Sequence, residues 1–141
     1  MIERRFFQEE KIRKAVIAAR NDSGAGKTGG GGSGHAFVSD PTANVAMNNV
    51  SFLRTVDIEI GKNEVETVKW PEKWLAVIKA TYSFYSGGVI GELLRCRYSG
   101  EPYQTTCINM NISKSLYYQM MVEVQSYALA CACQVGLAKV F

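Results

Sequence analysis

Histidine is nearly missing from these 141 residues: the single one, His35, sits in a glycine-rich run. A Ser-His-Asp relay or an imidazole-built zinc site therefore has no material. The four cysteines, Cys96, Cys107, Cys131 and Cys133, show no paired CxxC spacing and lie far from His35. Cys131 and Cys133 are two apart on an expected helix and face different directions, so we read all four as reduced, mostly buried thiols and expect no metal. No apolar run approaches the roughly 18 to 20 residues of a membrane-spanning helix. The opening MIERRFFQEEKIRK is charged where a signal peptide needs an apolar core, which makes the expected location cytoplasmic and excludes a membrane partner. Carboxylate pairs such as Glu9-Glu10 and Glu64-Glu66 stand in charged, solvated surroundings that favour no acid-base chemistry. The chain reads as a non-enzyme without a cofactor.

What is there is apolar and mildly basic. Hydrophobic residues make up 47% and charged residues 21%, too apolar for a disordered chain and enough for one core. The net charge of +3 divides unevenly. Residues 1–34 carry seven basic and four acidic groups, residues 35–72 three and six, and residues 73–141 six and three, so basic ends flank an acidic middle. These cuts define three regions. A basic end suits phosphate contacts and equally suits a solvated surface.

Ile2, Phe6, Phe7, Ile12, Val16 and Ile17 recur among basic residues, predicting an amphipathic helix over residues 1–20. It cannot bury its apolar side alone, so it packs on the rest of the chain or on a second copy, which leaves a homodimer open. NDSGAGKTGGGGSGH then predicts a flexible loop. Its GAGKT segment falls short of a phosphate loop, which needs a glycine where Asn21 stands and a preceding strand. Asp40 and Pro41 open a short helix through Leu53, and residues 55–70 alternate as a small β-hairpin or an extended arm, with Val56, Ile58, Ile60, Val65 and Thr67 on the apolar positions. Pro71 starts a long helix broken at Gly87-Gly88, in which Trp74, Tyr82, Phe84 and Tyr85 are read as core, as is Tyr98 beyond it.

Three further helices follow. Val89 to Tyr98 stops at Ser99-Gly100, Pro102 starts a short helix, and Asn111-Ile112 turns into a last helix capped by Ser113 and ended by Gly136. This is the layout of a helix-turn-helix, in which the last helix offers its first turn to the major groove. Lys114, Ser115, Tyr118 and Gln119 then face outward, while Ile112, Leu116 or Tyr117, Met121 and Val124 seal the core. Gln119 suits adenine, Lys114 a phosphate or guanine, and Tyr118 a phosphate or a stacked base. Arg95, Arg97 and Lys139 are candidate phosphate contacts.

The stretch GELLRCRYSGEPYQTTCINMNISKSLYYQMMVEVQSYA resembles the helix-turn-helix of sigma-factor region 4. It resembles more closely the phage and prophage regulators of the RinA and ArpU type, on Arg97, Tyr98, Gly100, Cys107, Met110, Ile112, Ser113, Tyr117 and Tyr118. VSDPTANVA and PEKWLAVIKATY are similar to upstream parts of such proteins. The helix after Ser113 departs from them in being poor in Arg and Lys. The resemblance implies sequence-specific binding to double-stranded DNA and transcription control without catalysis, in the cytoplasm of a bacterial host. Two other classes stay open: a DNA-packaging or assembly component of the small-terminase kind, and an interaction module that binds a protein such as host RNA polymerase. The expected fold is mainly α, with a C-terminal helix-turn-helix bundle, a small hairpin and an N-terminal helix.

Overall fold

A computed structural model describes residues 1–24 and 51–139; most of the Gly-rich run, and the helix expected from Asp40, fall outside them. Among the described residues the chain is mostly helical with one two-stranded sheet, in the order α1 (Ile2–Phe7), α2 (Glu9–Gly24), β1 (Thr55–Gly61), β2 (Glu64–Lys69), α3 (Pro71–Phe84), α4 (Val89–Tyr98), α5 (Tyr103–Asn109) and α6 (Lys114–Gln134). Contacts divide the chain into two compact units, one of residues 1–10 with 73–141 and the other of residues 11–72. This division differs from one drawn by charge, because the first ten residues join the C-terminal helices.

In the smaller unit, β1 and β2 pair antiparallel with Val56 opposite Val68 and Ile58 opposite Glu66. Asn63 supplies the left-handed φ of 63° in the turn, and the register skips Ile60 as a bulge. The pairing puts Val68 on the buried face with Val56 and Ile58 and exposes Val65 and Thr67, the reverse of the expected alternation in β2. Trp70 carries the ladder one rung further, its N–H donating to Arg54 O at 2.7 Å from a left-handed φ of 53°. Glu72 fastens the unit: its carboxylate accepts from Arg20 Nε at 2.9 Å and from the Leu53 N–H at 2.9 Å.

The larger unit begins at α1. The expected single N-terminal helix is two, because the chain leaves helical geometry at Gln8, whose side chain accepts from Arg5 Nη1 at 2.8 Å. The break lets Phe6 turn inward, where it is 3% exposed and stacks on Tyr98 at 4.9 Å between centroids. The N-terminal helix thus packs on its own chain. On α3, Trp74, Val77, Ile78 and Thr81 are buried, while Phe84, expected in the core, is 63% exposed and stacks on Tyr127. The four thiols are half-buried rather than buried.

α4, α5 and α6 meet around Leu93, Tyr117 and Met121, with Tyr98, Tyr103, Cys107, Met110, Ile112 and Met120 packed at the edges. All three helices end the same way. After α4, the Glu101 N–H reaches Cys96 O at 3.2 Å and the Gly100 N–H reaches Arg97 O at 3.3 Å, with Gly100 at φ 94°. After α5, Ile112 and Asn111 bond Cys107 O and Ile108 O at 3.0 and 3.1 Å, with Asn111 at φ 51°. After α6, Leu137 and Gly136 bond Ala132 O and Cys133 O at 2.8 and 3.0 Å, with Gly136 at φ 73°. These paired bonds satisfy terminal carbonyls and reverse the chain within two residues, which is why such short helices can pack on one another.

Candidate nucleic-acid interface

The outward turn of α6 is prepared by the residues before it. Glu101 binds α5 at two places, accepting from Thr106 Oγ1 at 3.2 Å and from Asn109 Nδ2 at 2.8 Å, so the short helix is held at its middle and its end. Asn111 then bends the chain in the left-handed region, which asparagine tolerates better than a branched residue. Ser113 closes the turn: its Oγ accepts from the Leu116 N–H at 3.1 Å and caps α6.

Lys114, Ser115, Tyr118 and Gln119 all emerge exposed from the first two turns of α6 and form, with Val122, one open surface of that helix. Their three- and four-residue spacing places them on one side of the helix. The first turn of α6 holds no acidic residue, so the positive end of the helix dipole and the Lys114 ammonium act in the same sense. The Lys114 ammonium lies 5.7 Å from the centre of the Tyr103 ring, whose centroid is 5.9 Å from that of Tyr118. Sequence reasoning missed Tyr103, because only the packing of α5 on α6 brings it to Lys114. It also missed Val122, although the steps 114, 118 and 122 could have found it.

The expected phosphate contacts are not gathered there. Arg97 donates from Nε and Nη2 to Glu3 Oε1 at 3.3 and 2.9 Å, and its guanidinium lies 5.1 Å from the Phe7 ring centre. The bond to Glu3 raises its pKa further. Lys139 is exposed beyond the far end of α6, a helix about 30 Å long that starts at Lys114. Arg95 is exposed on α4. Behind the turn, Tyr117 is 2% exposed, its hydroxyl has no hydrogen-bond partner, and burial pushes its pKa up.

No protein family, curated protein or solved structure matches this chain. Among the described residues, no group of three His, Cys, Asp or Glu side chains could hold a metal ion, and no helix is long and apolar enough to cross a membrane.

Proposed function

We propose that this chain is a sequence-specific DNA-binding transcriptional regulator of the phage type, with α5 and α6 forming a helix-turn-helix. The observation that carries the reading is the Ser113-capped start of α6, which presents Lys114, Ser115, Tyr118 and Gln119 together, exposed and without an acidic neighbour in its first turn. In a duplex, the α6 N-terminus and Lys114 meet phosphates, and Gln119 and Tyr118 reach base edges or the sugar-phosphate wall. The chain then acts where DNA is, in the cytoplasm of a bacterial host.

The test is binding of the purified protein to duplex fragments from its own genomic neighbourhood across a salt series, with the Lys114→Ala/Gln119→Ala protein alongside. One fragment is preferred over random duplex, and the double substitution removes the preference. Failure of every fragment at low salt would falsify the reading and favour the protein-binding and assembly classes.

A further inference from the structure

Val122 stands among the expected readers of α6 and yet is apolar. At about 100° of turn per residue, the helix sets Lys114, Tyr118, Val122, Ser115 and Gln119 in that order across an arc of about 140°. Val122 is therefore at the middle of the exposed face, and it is 62% exposed. Charge is scarce around it. Of the 21 residues of α6, only Lys114 and Glu123 are charged. Glu123 follows Gln119 around the helix, outside the arc, and its carboxylate accepts from Tyr85 Oη at 3.3 Å, which draws it toward the end of α3.

A side chain at the middle of a face that enters the major groove meets the groove floor and loses its water. The floor is polar at nearly every base. Guanine shows N7 and O6, adenine N7 and the N6 amino group, and cytosine the N4 amino group; thymine alone presents an apolar group, its C5 methyl. Any other base against Val122 leaves a donor or acceptor buried without a partner, which costs binding. A thymine there buries one methyl against another and leaves nothing unpaired.

We infer that Val122 is a specificity-determining residue that reads a thymine methyl, in the base pair next to the one read by Gln119, an inference that rests on the DNA-binding reading above. Gln119 and Val122 are three residues apart, about 4.5 Å along the helix axis. That is close to the roughly 3.4 Å step between successive bases of a strand. Gln119 suits adenine, so the two side chains together select neighbouring A·T pairs. The ligand class is a duplex with an A·T step under the second turn of α6, while Lys114 at the helix start meets phosphate.

The test starts from a pool of duplexes randomised at their centre, from which the full chain selects its preferred duplex. Each thymine of that duplex is then replaced singly by deoxyuridine, which removes the C5 methyl and leaves charge and hydrogen bonding as they were. One replacement weakens wild-type binding about fourfold, the worth of one buried methyl. Val122→Ala, at an exposed position that leaves the fold intact by circular dichroism, binds the thymine and deoxyuridine duplexes alike. Ile108→Ala, at an exposed apolar residue of α5, keeps the wild-type difference. A preferred duplex without A·T pairs, wild-type indifference to every replacement, or a penalty that persists in Val122→Ala overturns the inference and leaves the DNA reading standing. A pool that yields no preferred duplex sinks the DNA reading itself, and the inference with it.

Discussion

Arg97 and Glu3, 94 residues apart, join α4 to α1 through two hydrogen bonds to a single carboxylate oxygen. The guanidinium side chain is 31% exposed and the carboxylate 37%, so water screens the pair, and we expect Glu3→Gln to cost less than about 1 kcal/mol. Arg97→Ala costs more, since it also uncovers the Phe7 ring. Urea unfolding of the two single variants and the double variant gives the coupling. Because Arg97 is engaged within the chain, its loss lowers stability while leaving the salt dependence of duplex binding unchanged.

Gly91 and its neighbours make a sharper contrast. A Cβ on Gly91 would stand 2.2 Å from the backbone oxygen of Tyr85, whereas one on Gly87 would meet nothing within 4 Å. The oxygen belongs to the turn between α3 and α4 and cannot swing aside as a side chain would. Gly91→Ala is expected to destabilise by about 1 to 3 kcal/mol, as overpacking does. Gly87→Ala is neutral or stabilises by up to about 1 kcal/mol, through the unfolded chain. Thermal melts of the two variants decide it; equal melting temperatures would mean that the turn yields.

These contrasts mark where sequence reasoning worked. The ends of α4, α5 and α6 were legible because Gly100, Asn111, Ser113 and Gly136 each do a local job: three adopt the left-handed region and one caps a helix. The exposed face of α6 was legible for a related reason, since helical spacing alone puts Lys114, Ser115, Tyr118 and Gln119 on one side. Tertiary facts were not. The break at Gln8 is supported by an Arg5 side chain and by the docking of Phe6 on Tyr98, neither of which leaves a periodic trace. The face of β2 depended on the register set by the turn and the Ile60 bulge, and one residue of slip exchanges Val65 for Val68. The bond of Arg97 to Glu3 was not legible either, because the two lie at opposite ends of the chain.

Tyr117 carries a buried hydroxyl with no partner, which costs stability without return. Tyr117→Phe keeps the ring in the core with Leu93 and Met121 and removes the unpaired group. A gain of about 1 kcal/mol in chemical denaturation is expected. A loss of similar size would show that the hydroxyl is bonded in solution.

Tyr82 should contribute to the alkaline limit alongside Tyr98, whose pKa burial raises further still. Burial, with Glu9 adding to it, pushes the Tyr82 pKa from 10.0 to about 12. Between those values the unfolded chain gives up this proton and the folded chain keeps it, so stability is whole below pH 10 and falls as pH rises toward 12. Tyr82→Phe removes its share of that fall. Melting temperatures of both proteins at pH 9 and pH 11 should differ less for the variant, about 9 and 11 being the two sides of the onset. A parallel decline would place the alkaline sensitivity elsewhere.

Lys114 and Gln119 stand on the same side of α6 and are expected to fail in different ways. Lys114 is a point charge at the helix start, so Lys114→Ala should weaken every duplex alike and reduce the salt slope by about 1. Gln119, which is uncharged, should leave the slope alone; Gln119→Ala instead narrows the gap between preferred and random duplex by about 1 to 3 kcal/mol at one base position. Filter binding or anisotropy at several salt concentrations separates the two. If Gln119→Ala changed the slope and kept the preference, the side chain would be a backbone contact and the bases would be read by Tyr118 or Ser115.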